Sequence, residues 1–314
     1  MRRIPHTLFT VTALTTGLLF DATGRPAKAE QIVALTTQST LLRFDSATPG
    51  AVLGNSTILG LQSGEALLGI DFRPANGQLY GLSNTSRLYT INPLTGLATF
   101  AVALSTPLTG GSSYGIDFNP VVDRLRVVHS DARTNPLSNQ NLRIDVDTGI
   151  VIADGALTPA KVVSPLDPNI GAAAYTNNFS GATSTTLYDI DFFRDRLVIQ
   201  NPPDSGTLVR VGELAPIGAP PMGADITNEM VGFDISGLSG IAYASLTSPA
   251  TGVSSLYTID LGTGAATLVG SFGNGFTVSG LAAPVGTPVP ESASVLLLGM
   301  GIAWIGVTRI LRKK

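Results

Sequence analysis

One short phrase recurs along this chain and constrains its fold more than any other feature. Gly69-Ile70-Asp71-Phe72-Arg73-Pro74 returns as Gly115-Ile116-Asp117-Phe118-Asn119-Pro120, with a looser echo in Gly232-Phe233-Asp234-Ile235. A second element trails it: Arg87-Leu88-Tyr89-Thr90-Ile91-Asn92-Pro93-Leu94-Thr95-Gly96, then Asn141 to Gly149, then Ser255 to Gly264. Each copy is followed by a last apolar run. Each unit therefore offers four short alternating segments joined by turns, at a spacing of roughly 40–50 residues, the pattern of a β-propeller blade. Asn92, Asp145 or Asp260 opens the third turn, where its side chain can accept backbone N–H groups, and a glycine closes it.

Five such units are expected. The first has three strands, Ile32–Leu35, Leu41–Phe44 and Ala51–Leu59. The others run over 67–104, 114–157, 172–214 and 230–272. Thr277 to Ala282 is left as one orphan strand, which would complete the first unit and close the ring. A sixth blade hidden in 158–218, or a pair of β-sandwiches, are the competing architectures. No sustained helical period with caps is found outside the two ends.

Composition agrees with many turns and short strands. Glycine (35) and proline (20) are abundant, and there is no cysteine, so no disulfide, thiolate metal site or thiol nucleophile exists. Residues 30–289 hold eleven basic and twenty acidic side chains, an acidic body that repels nucleic acid.

The ends read differently. Met1-Arg2-Arg3, an apolar stretch from Leu8 to Phe20 and the Ala-x-Ala site Ala27-Lys28-Ala29 follow the order of a secretory signal, cut by signal peptidase after Ala29, with Ala22 and Ala27 as alternative points. At the other end, Val289-Pro290-Glu291-Ser292 precedes an apolar segment that ends in Arg309, Arg312, Lys313 and Lys314. The segment is near the lower limit for spanning a bilayer, and its basic end should stay cytoplasmic. The expected parts are therefore a signal peptide (1–29), a propeller ectodomain (30–284), a proline-rich linker with the motif (285–291), a membrane helix (292–308) and a basic tail (309–314).

This tail resembles the PEP-CTERM sorting signal of Gram-negative bacteria, with Val289, Pro290 and Glu291 as the motif and Ser292 where that family usually has a second proline. The resemblance implies processing by an exosortase and association with exopolysaccharide or biofilm matrix. It also implies an inner-membrane intermediate that faces the periplasm, followed by the outer surface or matrix. The stretch from Gln31 to Pro284 resembles an uncharacterised bacterial secreted domain family of unknown function. The motifs that carry this are Ala173 to Asn178, Leu187 to Asp191 and Gln200 to Leu208. That family brings no activity.

Candidate chemistry is sparse. His129 is the one histidine left after signal removal. It lies in the densest polar stretch, with Arg124, Arg126, Asp131, Arg133 and Asn135, a candidate polar pocket at a blade end or a solvated loop. Alternation puts Arg124, Arg126 and Val128 on one face of the strand and Leu125, Val127 and His129 on the other. Asp145-x-Asp147-x-Gly149 is half a calcium loop without its remaining ligands, and its recurrence favours a structural turn. No Gly-x-Ser-x-Gly elbow and no phosphate loop are present. No cofactor is demanded. The inner-strand aspartates Asp71, Asp117, Asp191 and Asp234 would gather one cation, calcium being the candidate, if they face the channel. Two functions follow: a non-enzymatic binding or scaffold module of the envelope or matrix, and a metal-dependent hydrolase at the channel.

Overall fold

The computed structural model describes residues 29–111, 113–130, 139–160, 168–214 and 228–287. It is all-β: five sheets arranged around one axis. Strands β1 (Gln31–Thr36), β2 (Thr40–Asp45) and β3 (Val52–Thr57) begin the first blade. The second blade is β4 (Leu67–Phe72), β5 (Leu79–Ser83), β6 (Arg87–Ile91) and β7 (Ala98–Ala103). The third is β8 (Gly115–Asn119), β9 (Arg124–His129), β10 (Gln140–Ile144) and β11 (Val151–Ala153). After the short β12 (Thr158–Pro159), the fourth is β13 (Ile170–Tyr175), β14 (Leu187–Asp191), β15 (Arg196–Gln200) and β16 (Thr207–Glu213). The fifth is β17 (Val231–Ile235), β18 (Ala242–Thr247), β19 (Ser254–Ile259) and β20 (Ala266–Ser271), and the chain then adds β21 (Val278–Ala282).

The orphan strand closes the ring as its sequence suggests. β21 pairs antiparallel with β1, Val33 opposite Ala282 and Ala34 opposite Leu281, and becomes the innermost strand of the first blade. Among the described residues no sixth sheet exists. The departure from four strands lies in the fourth blade, where β12 adds a parallel fifth strand outside β16. The chain also stays docked past Pro284. The Pro284 carbonyl accepts from Gly237 N–H, and Gly286 N–H donates to the Asn178 carbonyl. Among the described residues no helix is long and apolar enough to cross a membrane, and the expected tail helix lies outside them.

Turn chemistry fixes the repeat. Asn92, Asp145 and Asp260 each accept backbone N–H groups two and three residues on, and Gly96, Gly149 and Gly264 close those turns at positive φ. The half calcium loop at Asp145 is thus a structural turn. The inner strands of each blade bury both faces, because a blade is covered by its neighbours, while the outermost strands such as β3, β7 and β20 stay partly exposed. The core is accordingly divided into wedges between blades. Tyr80, Leu82 and Leu88 meet Ile116, Phe118 and Val127 between the second and third, and Ile190 and Leu197 meet Phe233 and Leu246 between the fourth and fifth. Each such side chain contributes about 1.5–3 kcal/mol by leaving water.

The axis is the tightest place. Gly69, Gly115, Ala172, Gly232 and Gly280 face it, each followed by an apolar residue, and the space left is about 10 Å³. A Cβ on Gly115 would lie 2.6 Å from the Ala172 and Ala173 backbone, and one on Gly232 would lie 2.8 Å from Gly280 and Leu281. On Gly280 the nearest atom would be 3.5 Å away. Gly115→Ala and Gly232→Ala should therefore each cost about 1–3 kcal/mol through overpacking, while Gly280→Ala should cost under about 1 kcal/mol. Urea unfolding midpoints would separate the two classes. Equal losses at all three positions would contradict so close an approach of the inner strands.

Candidate functional site

Two residues beyond the axial glycine, the inner strands carry the aspartates of the repeat. Asp71 on β4, Asp117 on β8 and Asp234 on β17 are all buried, and each offers a carboxylate oxygen within 4.8 Å of the others'. Asp71 accepts from Phe72 N–H at 2.7 Å and, across the blade boundary, from Phe118 N–H at 2.8 Å. Asp234 repeats the arrangement with Ile235 N–H at 2.6 Å and Ala283 N–H at 2.5 Å. Asp117 departs from it. Neither of its oxygens has a partner in hydrogen-bond geometry, although the Tyr175 N–H and the Asp234 carboxyl are near enough to bias its charge.

Burial, then the charges of the neighbouring carboxyls, pushes Asp71 and Asp117 well above the usual carboxylate range. Burial pushes Asp234 up to about 7 against its two backbone donors. Three carboxylates in one dry site cannot all stay ionised without a counter-charge.

The fourth expected ligand is not there. Asp191 sits on β14, the second strand of its blade, and pairs with Arg194 at 2.8 Å. The inner strand of that blade is Ile-Gly-Ala-Ala-Ala-Tyr, and Ala174 takes the aspartate's place opposite Tyr188, as Asp71 lies opposite Tyr80 and Asp234 opposite Tyr243. In the first blade Ala282 holds it. The sequence motif at Asp191 is a second-strand motif, so its spacing to the axis is that of a neighbouring strand.

The described residues of the polar stretch, Arg124, Arg126 and His129, do not gather into one pocket. Arg124 and His129 stand at opposite ends of β9, about 16 Å apart along the strand. Arg124 pairs with Asp145 at 3.1 Å. His129 stacks on Tyr114 with ring centroids 4.4 Å apart, its Nδ1 2.5 Å from the Ser113 carbonyl. Asp131, Arg133 and Asn135 lie outside the described residues. The alternation holds, but both faces are covered.

Arg126 faces the fourth blade, 1% exposed, and donates to Asp154 at 2.6 Å, Asn141 at 2.7 Å, Asp204 at 3.1 Å and the Tyr175 hydroxyl at 3.2 Å. Gln200 joins through Asn141 at 3.1 Å. Sequence reading missed this network, although Tyr175, Gln200 and Asp204 all fall in motifs it singled out. It is filled by its own partners and holds two blades together. On β14 beside it, Asp189 is fully buried with both oxygens unpartnered, and burial, opposed by the Arg126 charge, pushes it up to about 8.

Room for a ligand lies at the end where the inner strands finish. A cleft of about 740 Å³ is bounded by blades one, two and five. Phe72, Pro93, Leu94, Leu238 and Pro284 give it an apolar wall, and among the described residues Glu30 and Arg43 are its ionisable lining residues. The Arg43 Nε and one Glu30 oxygen are buried without a partner. The cleft floor adjoins the axial carboxylates, for Phe72 follows Asp71 and Pro284 follows Ala283. Nothing in the sequence pattern marks Arg43, which reads as one outward residue of β2.

The family model of a domain of unknown function, DUF4394, matches residues 40–282. No curated protein matches the sequence. Similar solved structures include an auxiliary nutrient binding protein from Bacteroides ovatus, at 13% identity over 72% of this chain and 55% of that one, with a TM-score of 0.42. Another, from Bacteroides thetaiotaomicron, is 12% identical over 68% and 55%, with a TM-score of 0.40. The chain thus spans about half the length of these two proteins.

Asp189 gives this region a pH dependence of known sign. Unfolded, its carboxyl ionises at the ordinary value; folded, at about 8. Between those limits the folded state holds the extra proton, so its share of stability falls as pH rises, by at most about 1.4 kcal/mol per pH unit. Asp189→Asn should abolish that share of the slope. The stability gained by the variant should grow from about pH 5 to about pH 8 in urea titrations, and a gain independent of pH would contradict a protonated Asp189.

Proposed function

We propose that this chain, which belongs to the DUF4394 family of domains of unknown function, is an exported, non-enzymatic binding or scaffold module of the cell envelope or extracellular matrix. One observation carries the non-enzymatic reading. The cleft with room for a ligand holds a single carboxylate, Glu30, and a single base, Arg43. Glycoside hydrolysis needs two carboxyl groups flanking the bond, and acyl transfer needs a nucleophile with a base beside it. The lining supplies neither set. The axial aspartates come together as a hydrolytic metal site would require, but they are buried beside a channel of about 10 Å³, too small for substrate.

An apolar wall beside an unpaired guanidinium suits a ligand with a hydrophobic face and a negative charge, as in a polysaccharide containing acidic sugars. That is the ligand class assigned here. The purified chain should be retained on the host's acidic exopolysaccharide at low salt, with Arg43→Gln lowering the affinity about tenfold and salt weakening the wild type more than the variant. Equal retention of both proteins would remove the cleft from the interaction. Absence of any retention would remove the polysaccharide.

Export and sorting rest on the two ends. Signal peptidase would cut after Ala29, with Ala22 and Ala27 as alternative points. Cleavage after Ala29 would leave Glu30 as first residue, its nitrogen already held 3.0 Å from the Ser46 hydroxyl. The tail would then hold the domain on the periplasmic face of the inner membrane until an exosortase acts at Val289-Pro290-Glu291. Deleting 292–314 should release a folded domain into the periplasm, and neutralising Arg309, Arg312, Lys313 and Lys314 should weaken retention. Uncleaved, membrane-bound protein in cells that contain an exosortase would leave a plain single-pass anchor instead.

A further inference from the structure

We propose that Asp71, Asp117 and Asp234 form a binding site for one hard divalent cation on the propeller axis, a structural ion of the calcium type that ties together the inner strands of blades two, three and five. This goes beyond the binding reading of the cleft and stands or falls separately from it.

The cluster alone would not carry this; Asp117 does. Asp71 and Asp234 have a backbone duty, since each receives an N–H from the next blade. Asp117 has none. It is 0% exposed, both of its oxygens lack a hydrogen-bond partner, and it contributes an oxygen within 4.8 Å of those of the other two. If capping were the whole purpose, an uncharged side chain would serve at less cost. Blades one and four dispense with the group altogether, having Ala282 and Ala174 there.

Among the described residues no basic side chain pairs with the trio. Arg126 lies opposite Asp117 in the β8–β9 register, yet its guanidinium is taken up by Tyr175, Asn141, Asp154 and Asp204. Arg73, the next cation along β4, is held by Asp123 at 2.6 Å and Asp147 at 2.8 Å.

The donor set selects the class of ion. All three groups are carboxylates, which suit a hard cation. Oxygens no more than 4.8 Å apart fit around an ion that takes its ligands at about 2.3–2.6 Å. Three negative charges against two positive ones leave a small excess, where the bare trio leaves three. Phe72 and Pro284 of the cleft lining are next in sequence to Asp71 and to the donor Ala283. Glu30, also in that lining, adds negative potential felt at Asp234. Calcium takes six to eight oxygens in all, so water bound with the ion would complete the coordination shell.

The test uses the full chain in detergent, dialysed against a chelator and returned to buffer with calcium chloride, magnesium chloride or potassium chloride. One calcium per chain should survive gel filtration, measured by elemental analysis. The thermal midpoint should rise by roughly 5 °C or more with calcium and less with the other salts. Asp117→Asn should retain no calcium and show no such rise. Asp189→Asn, which changes a buried carboxylate outside the trio, should keep both; Asp234→Asn replaces the first variant if that one fails to fold. A wild-type chain that retains no calcium and does not shift would overturn the proposal. So would calcium retained equally by the Asp117 or Asp234 variant, which would put the ion elsewhere.

Discussion

Five strands that converge on one axis must each give up a side chain where they meet, and the rest of this structure depends on that. With Gly69, Gly115, Gly232 and Gly280 at the level of closest approach and Ala172 in the fifth place, the inner strands come near enough to leave about 10 Å³ between them. The consequence is a plug where many rings of this kind would keep a channel. It also explains the phrase repeated in the sequence. Glycine faces the axis, the apolar residue after it fills the level around it, and the aspartate beyond can reach the next blade's backbone because the strands are so close.

Away from the axis, blades are joined by apolar wedges that look much alike from one boundary to the next. Charge makes two of the boundaries distinct. Arg73 of the second blade, 10% exposed in its side chain, enters the third and holds Asp123 and Asp147. Arg126 of the third holds Asp204 of the fourth. Burying such ions costs desolvation that their attraction only partly returns, so their contribution to stability is modest, while an unmatched partner would be expensive. The third blade is thus specified on both sides by polar contacts. The first and fifth are instead fixed by chain closure through β21 and by packing such as Phe44 edge-on to Phe272, ring centroids 5.2 Å apart.

How much of this could be read from sequence follows from range. Turns and strand pairing within a blade are local, and Asn92, Asp145 and Asp260 with their closing glycines disclosed them. So did the orphan strand at Thr277 to Ala282, whose absence from any local unit left one place for it. The site was less legible. Asp71, Asp117 and Asp234 could be grouped because each follows the axial glycine by two. Asp191 has surroundings like those of the inner-strand aspartates, and the fourth unit, expected from Ala172, opens on an inner strand, Ile170–Tyr175, in which alanines replace the phrase. The Arg126 network and the cleft at Arg43 and Glu30 join residues far apart in the chain. Periodicity has no term for which charged side chain turns inward at such a boundary.

The axis and the cleft are better understood together than separately. The inner strands finish at the cleft floor, so any ligand there rests on residues whose backbones hold the carboxylates below. Phe72 is both a wall of the cleft and, through its N–H, a donor to Asp71. Pro284 follows Ala283, whose N–H serves Asp234, and its own carbonyl anchors Gly237 beside Leu238 and Ser239 of the opposite wall. A cleft built on strand ends thus shares its backbone with the axial carboxylates, and the segments that shape its floor are the ones whose N–H groups hold Asp71 and Asp234.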